Sequence, residues 1–290
     1  MATTELINRL RTHVETLAAS PRTPETAEHQ AARNYIENHL RQCGFSVELK
    51  TYDAEGVECI NIVTEPMPND EKLPLFIVGA HYDTKPGSPG ADDNASAVAG
   101  LLELAKWLQP QLSASDSWKA RLQLVAYDQE EYGLIGSNFQ AVEIKKAGIN
   151  LLGMISLEML GYIDDRPGSQ QLPPEVAHLY PDVGNFIGVV GNQNSTALLQ
   201  STVAAMKQVE DLPVEFISIP NDGHPLPATR LSDHASFWDA GFPALMITDT
   251  SFYRNPHYHQ TTDTPETLNY SFLAKVTEAV CLAVQQLLQS

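Results

Sequence analysis

The sequence predicts a single-domain α/β fold, in which a mixed, mostly parallel central β-sheet carries helices on both faces. Segments with apolar residues at helical spacing alternate with short strand-like segments along the 290 residues. Several of the strand-like segments are continuously apolar, which is typical of parallel strands buried on both faces. No repeat or interdomain linker interrupts the alternation, so one domain is expected over residues 1–290.

The N-terminal region predicts two helices within residues 5–43 that pack on the sheet. Leu6 and Leu10 belong to a pattern with the spacing of one helical face. A second helical pattern covers residues 25–43, and Gly44 supplies a stop signal directly after it.

The rest of the chain continues the alternation and contains three long loops. The predicted elements are strands at 45–49, 59–63 and 73–80, a helix at 95–108, a strand at 122–127, a helix after Gly133, a strand at 151–157, a strand at 186–190, a helix at 195–209, strands at 214–219 and 243–247, and a C-terminal helix. Asn94 is the expected cap of the helix at 95–108. Segments 161–181, 220–231 and 249–264 lack periodicity and predict loops around a functional site.

Composition narrows the classes of partner. The chain has 18 Lys and Arg against 36 Asp and Glu, a net charge of −18, which argues against nucleic acids and anionic membrane surfaces as partners. Cys43, Cys59 and Cys281 lie far apart, so buried thiols are expected rather than a disulfide framework or a thiolate zinc site. The N-terminus has no leader pattern, and no apolar run approaches a membrane span. A cytoplasmic protein is therefore expected, unless a leader has been removed.

Metal-type ligands occur where the predicted strand 73–80 ends. His81 and Asp83 share one face of the chain, so the imidazole could bind a metal while the carboxylate sets its tautomer. Asp92 and Asp93 follow in a loop, and a single carboxylate can bridge two cations by giving one oxygen to each. Taken alone, each of these groups is more often an ordinary structural or solvated side chain.

Further carboxylates follow two more predicted strands. Glu130 and Glu131 come just after the strand at 122–127, and because adjacent side chains diverge, one could bind a metal while the other acts as a base. Glu158 ends the apolar run at 151–157, where a buried and unpaired charge would be expensive. An exposed strand end explains each carboxylate about as well as a metal ligand does.

The loop at 256–264 adds two histidines and an acid. His259 is preferred over His257 as a ligand because Asp263 is available to orient it. Two histidines and three carboxylates form an oxygen and nitrogen donor set without sulfur, which suits zinc. Three carboxylates and one bridging hydroxide would balance the four positive charges of two such ions, which favours two metals over one.

Six motifs, in this order, resemble the zinc aminopeptidases of peptidase family M28. They are HYD, PGADDNAS, YDQEEYGLIGS, SLEMLGY, SDHASFWDAGFPA and YHQTTDT, and the resemblance extends from about Leu6 to the C-terminal helix. It implies the phosphorylase/hydrolase-like fold of the zinc exopeptidases. It also implies an enzyme with two zinc ions per chain that hydrolyses peptides and releases N-terminal residues.

The resemblance also implies roles for single residues. The metal ligands would be His81, Asp93, Glu131, Glu158 and His259. Asp93 would bridge the two ions and Asp92 would touch neither, while Glu130 would be the general base and Asp83 the catalytic residue behind the first histidine. A cis peptide bond is implied between Asp93 and Asn94. The family usually has Asp where Glu158 stands, which leaves the reach of that ligand open.

Substrate specificity and the exact reaction remain open at this point. An aminopeptidase would hold a free ammonium group with Glu131 and Glu158, whereas a carboxypeptidase would need a cation such as Arg230 or Arg254. Four aromatic residues could line an apolar side-chain pocket: Phe237, Trp238, Phe252 and Tyr258. The sequence is also compatible with a glutaminyl cyclase that uses a single zinc ion and with a non-catalytic binding module of the same fold.

Overall fold

One eight-stranded sheet forms the centre of the computed structural model, which describes residues 3–54, 56–114 and 117–290. The strands are β1 Val47–Ala54, β2 Val57–Thr64, β3 Leu75–His81, β4 Arg121–Tyr127, β5 Leu151–Glu158, β6 Ile187–Asn192, β7 Val214–Ile219 and β8 Ala244–Thr248. The helices are α1 Thr4–Leu17, α2 Ala27–Gln42, α3 Ala97–Ala114, α4 Ile135–Ala147, α5 Thr196–Met206, α6 His234–Ala240 and α7 Tyr270–Gln289.

The sheet is mixed and mostly parallel, as the sequence predicts. Its strand order is β1-β2-β4-β3-β5-β8-β6-β7. Strands β4, β3, β5 and β8 are parallel neighbours, and β7 is parallel to β6. Antiparallel pairs join β1 to β2, β2 to β4 and β6 to β8. The predicted α/β class is therefore confirmed.

Two hydrophobic cores cover the two faces of the sheet, because side chains alternate along each strand. In β3, Phe76 and Val78 belong to the larger core, which also contains buried side chains from α1, α2, α3, α5 and α7. Leu75 and Ile77 point to the opposite face and belong to the smaller core with α4 and α6. This arrangement explains why β3 reads as a continuous apolar run in the sequence.

Helix α7 is long and apolar enough to cross a membrane by length and composition. It is largely buried, however, and packs against α1, α3 and α5. This burial is that of a core helix in a globular domain. The three cysteines are free thiols, of which Cys59 and Cys281 are buried and Cys43 is partly buried.

Two local expectations about helices differ from the structure. Asn94 does not cap α3, because its side chain instead donates to the carbonyl of Leu157 and accepts from the amide of Met159. Asn94 therefore joins the start of α3 to the end of β5. Helix α6 was not predicted, since its seven residues are too few to show a helical period.

The parallel strands bring three chain segments to one edge of the sheet. His81 ends β3 and lies in register with Tyr127, the last residue of β4. Gly79 pairs with Ser156 of β5, so two residues further along His81 lies level with Glu158. Ligands bind at this carboxyl edge in open α/β sheets. The fold thus places the predicted ligands from β3, β4 and β5 side by side.

Candidate metal centre

Six side chains at this edge form two compact groups that could each hold a metal ion. The first group consists of His81, Glu130 and Glu158, and the second of Asp93, Glu131 and His259. Within each group the potential ligand atoms all lie within 4.8 Å of one another. The two glutamates after β4 diverge into different groups, as their adjacent positions suggest.

The carboxylate of Asp93 lies between the two groups. Its Oδ1 is 3.3 Å from Nε2 of His81, and its Oδ2 is 3.1 Å from Nε2 of His259. Oε2 of Glu131 lies 3.1 Å from the same nitrogen of His259. Oε1 of Glu158 lies 3.5 Å from Nε2 of His81. Asp93 can therefore give one oxygen to each of two cations.

The donor atoms fit zinc. Among the described residues, Nε2 of His81, Nε2 of His259, Oδ2 of Asp93 and Oε1 of Glu131 are buried without a hydrogen-bond partner. Buried polar atoms are rarely left unpaired unless an ion, a water molecule or a function accounts for them. Imidazole nitrogens and carboxylate oxygens are common zinc ligands. A pair of divalent cations would satisfy these atoms.

The side chains of the two groups have strongly shifted proton affinities. Burial alone would lower the pKa of His259, but the carboxylates of Asp93 and Glu131 outweigh it and raise this pKa to about 9. Burial raises the pKa of Glu130 well above its ordinary value; His81 opposes this shift, and the neighbouring carboxylates add to it. Dications compete with protons for the same atoms, so metal binding at this site should release protons.

Asp83 links the first group to the second. It is fully buried, and its Oδ1 lies 3.3 Å from Nδ1 of His81. The same oxygen accepts a hydrogen bond from the amide of Glu130 at 3.1 Å, and Oδ2 accepts one from the amide of Glu131 at 3.2 Å. One carboxylate thus holds the backbone of both glutamates against the end of β3.

Asp92 points away from both groups. Its Oδ1 accepts from the amide of Gly161 at 2.9 Å, and its Oδ2 accepts from the side-chain amide of Asn255 at 2.8 Å. The peptide bond between Asp93 and Asn94 is cis, as the resemblance implies. Asp92 therefore has a structural environment, in contrast to its neighbour Asp93.

His259 joins the second group, whereas Nδ1 of His257 hydrogen-bonds to Thr262 at 2.9 Å. The reason that the sequence suggested for this preference is wrong. The carboxylate of Asp263 accepts hydrogen bonds from the amides of Asp92 and Asp93, at 3.0 and 3.1 Å. Asp263 therefore orients the backbone of Asp92 and Asp93, and it does not orient His259.

Comparison with known proteins identifies the family. A model of peptidase family M28 matches residues 61–284. The chain belongs to peptidase family M28. The uncharacterized protein YfbL of Escherichia coli is 38% identical to this M28 chain over 277 residues, which cover 91% of this chain and 83% of that protein.

Further relatives of this M28 chain are more distant. Leucine aminopeptidase 1 of Arthroderma otae is 26% identical over 222 residues, which cover 73% of this chain but only 54% of that protein. The LapA aminopeptidase of Legionella pneumophila shares the fold with a TM-score of 0.72 at 20% identity, over 99% of this chain and 72% of that one. A glutaminyl cyclase of Porphyromonas gingivalis also shares it, with a TM-score of 0.69 at 20% identity over 97% and 98% of the two chains. The fold alone therefore does not separate a peptidase from a cyclase.

An apolar pocket opens beside the two groups of this M28 chain. It encloses about 120 Å³, and its wall includes Glu131 and Glu158. Each of the three long loops contributes apolar residues to it, for example Val176, Leu226 and Phe252. The predicted loops thus lie around the site, and the pocket can take an apolar side chain.

The prediction for the four aromatic residues is half right. Phe252 and Tyr258 line the pocket. Phe237 and Trp238 do not line it, because α6 turns them into the smaller core, where they are 0% and 2% exposed. The indole of Trp238 donates to the carbonyl of Ala244. Because the sequence did not predict α6, it could not show that Phe237 and Trp238 face the smaller core.

The two arginines considered for a carboxylate-binding site have partners within the protein. Arg230 donates to the carboxylate of Asp239 at 2.7 Å and to the carbonyl of Asp222. The buried Arg254 donates to the side chain of Gln170 at 2.9 Å and to the carbonyl of Phe186 at 2.8 Å. Nη2 of Arg254 is buried without a hydrogen-bond partner among the described residues, but neither arginine lines the pocket described above, so neither is presented to a substrate there.

Sequence reasoning missed two residues that support the site. Oγ of Ser232 donates to Oε2 of Glu158 at 2.7 Å, while Oε1 of Glu158 lies 3.5 Å from Nε2 of His81. Glu158 therefore reaches the first group with one oxygen while Ser232 binds the other. Ser232 is the first residue of the motif SDHASFWDAGFPA, which is the signal that could have found it. Arg22 lies buried behind the ligands, and no pattern in its segment points to the site.

Proposed function

We propose that this chain is a zinc-dependent aminopeptidase that binds two zinc ions. One observation carries the proposal: the carboxylate of Asp93 has one oxygen facing His81 of one ligand group and the other facing His259 of the second. Membership of family M28 and the aminopeptidases among its relatives support the same activity.

Each zinc ion would have three protein ligands. One ion would be held by His81, Glu158 and Asp93, and the other by Glu131, His259 and Asp93. The three carboxylates offset three of the four positive charges, which leaves one for a water-derived ligand or the substrate. When bound, the ions supply Lewis acidity, which lowers the pKa of a water molecule and polarises the peptide carbonyl.

Glu130 is the proposed general base. Its backbone amide is held by Asp83, and its Oε2 lies 3.9 Å from Nε2 of His81, so the carboxylate faces the first ligand group. Without metal, burial outweighs the opposing effect of His81, the neighbouring acids add to it, and together they raise the pKa of Glu130. The positive charge of two bound zinc ions would instead favour the ionised carboxylate that a base requires. Glu130 would take a proton from the attacking water onto its carboxylate and then deliver it to the nitrogen of the leaving amine.

The pocket defines the expected substrate. Its apolar wall, which includes Phe252 and Tyr258, would accept a bulky apolar side chain such as that of leucine or phenylalanine. Glu131 and Glu158 also line the pocket and offer carboxylate oxygens to the free ammonium group of the first residue. A peptide with a free, apolar N-terminal residue satisfies both features.

A carboxypeptidase and a cyclase fit the site less well. A carboxypeptidase requires an available cation, but Arg230 and Arg254 are both engaged by groups of the protein. A cyclase with a single zinc ion would need only one ligand group, whereas this chain has both. A two-ion aminopeptidase uses every ligand-type side chain of the two groups.

Zinc titration and a substrate panel test the proposal. Protein freed of metal with a chelator should take up two zinc ions per chain. It should then hydrolyse p-nitroanilides of leucine and phenylalanine faster than those of alanine and glutamate, and it should lose this activity again on chelation. N-blocked leucine p-nitroanilide is the matched control and should not be cleaved. Cleavage of only N-blocked substrates, or conversion of N-terminal glutamine with a single bound ion, would contradict the proposal.

A further inference from the structure

Arg22 is a fully buried cation outside the stretch that matches the family model. It lies between α1 and α2, only 1% of the residue is exposed, and the family match begins at residue 61. A charged side chain is seldom buried to this extent without specific partners. Its partners therefore indicate what it does.

The guanidinium binds the backbone at two places in the ligand loop, the segment 82–93 that connects His81 to Asp93. Its Nε donates to the carbonyl of Tyr82 at 2.8 Å, directly after His81. Its Nη1 donates to the carbonyl of Pro89 at 2.7 Å, and Nη2 donates to the carbonyl of Gly90 at 3.0 Å. These bonds connect the end of β3 with the segment that leads into Asp92 and Asp93.

Two further contacts anchor Arg22 itself. Nη1 also donates to the carbonyl of Leu17 at 2.9 Å, in the last turn of α1. The backbone amide of Arg22 donates to Oγ1 of Thr84 at 2.8 Å, and the amide of Thr84 donates back to the carbonyl of Arg22. The N-terminal segment is thus hydrogen-bonded to the beginning of the loop at Thr84 and to its later part at Pro89 and Gly90.

The loop packs closely on itself and on the guanidinium at Gly90. Gly90 has a φ of +63°, and a Cβ at this position would lie 2.3 Å from the carbonyl oxygen of Asp93, 2.4 Å from Cγ2 of Thr84 and 3.0 Å from Nη2 of Arg22. Burial lowers the pKa of Arg22 to about 10, against the opposing effect of acids that include Asp263, Asp93 and Asp83. At neutral pH the side chain therefore remains charged and faces the acidic side of the site.

We propose that Arg22 is a positioning residue that fixes the separation of His81 and Asp93 and thereby sets the affinity of the site for zinc. The inference rests on the proposed two-zinc function. Arg22 binds the carbonyl of Tyr82, which follows His81, and the carbonyls of Pro89 and Gly90, which precede Asp93. Loss of Arg22 should therefore allow His81 and Asp93 to move relative to each other. Arg22 donates to the three loop carbonyls from three separate nitrogens of a planar fork, whereas the three donors of a lysine ammonium leave from one nitrogen and do not match that spacing.

The test measures zinc affinity directly, by competition between the metal-free protein and a chromophoric chelator. Arg22→Lys and Arg22→Met should both bind zinc about tenfold more weakly than wild type, the lower end of the effect seen when groups behind metal ligands are removed. KM for leucine p-nitroanilide should stay unchanged at saturating zinc, because Arg22 does not line the pocket. Arg9→Met is the matched control: it breaks a partly buried ion pair with Glu103 and should leave zinc affinity unchanged.

The outcomes separate this inference from the proposed function. Failure of the wild-type protein to bind zinc would overturn the proposed function. Wild-type zinc binding with equal affinity in folded Arg22 variants would overturn the positioning role alone. Normal affinity in Arg22→Lys with weak affinity in Arg22→Met would assign the effect to charge and would also overturn it. If Arg22→Met does not fold, Arg22→Lys and Thr84→Val decide, and both should bind zinc more weakly than wild type.

Discussion

Replacing Asp83 by asparagine should uncouple the two glutamates from the end of β3 with almost no change in shape. The buried carboxylate accepts one hydrogen bond from the amide of Glu130 and one from the amide of Glu131, and one of its oxygens also faces His81. Asparagine has a single carbonyl oxygen. In either orientation its NH₂ group faces one of the two amides, so one hydrogen bond is lost and two donors oppose each other.

The magnitude follows from the lost hydrogen bond. A hydrogen bond to a charged acceptor contributes about 1.5–3 kcal/mol. At this chain length each kcal/mol shifts Tm by about 2 °C, so Asp83→Asn should lower Tm by roughly 3–6 °C. Because this bond lies within the protein, the fall should appear both with zinc and after chelation. Displacement of the ligands should also reduce kcat/KM by about 10–100-fold.

The assay combines thermal unfolding with hydrolysis of leucine p-nitroanilide at saturating zinc. Glu71→Gln makes the same change of charge on an exposed loop and should match wild type in both measurements. An Asp83→Asn protein with wild-type Tm and kcat/KM would refute the reasoning that this carboxylate holds the catalytic segment. A fall in Tm without a fall in kcat/KM would restrict Asp83 to a structural role.

Three more substitutions probe the base, the ligand loop and a distant ion pair. Glu130→Gln should lower kcat by at least about 100-fold while the protein still binds two zinc ions by titration, and retained turnover would exclude Glu130 as the base. Gly90→Ala should lower the free energy of unfolding by about 1–2 kcal/mol for the left-handed backbone alone, and its Cβ would also clash with the loop. Tm should therefore fall by at least about 2–4 °C, and zinc should bind more weakly. In Glu103, burial alone would raise the pKa, but hydrogen bonds with His13 and Arg9 outweigh it and lower the pKa from 4.5 to about 2. This depressed pKa stabilises the folded state above about pH 4.5, and the stabilisation is lost as the pH falls towards 2. The Tm difference between wild type and Glu103→Gln, measured in chelator, should therefore shrink from about pH 4.5 to about pH 2. A constant difference would contradict this linkage.

Much of the fold could be predicted because its signals are local. The continuous apolar run of β3 and the helical period of α1 each reflect burial of the segment in which they occur. Short elements and caps were harder, because their signals span few residues and compete with tertiary contacts. Asn94 shows this: its side chain bonds to β5, over 60 residues away, rather than to the helix that it precedes.

The sequence by itself determined the types of ligand and their positions after strand ends, since donor chemistry and strand period are properties of single segments. His81, Glu131 and Glu158 could be proposed on this basis and through the family resemblance. Only the tertiary structure decided how the segments meet: Asp263 serves the backbone of Asp93 rather than a histidine, and Arg22 reaches the ligand loop from the N-terminal segment. The physical reason is that hydrogen bonds between distant segments depend on packing in three dimensions, which leaves no periodic trace along the chain.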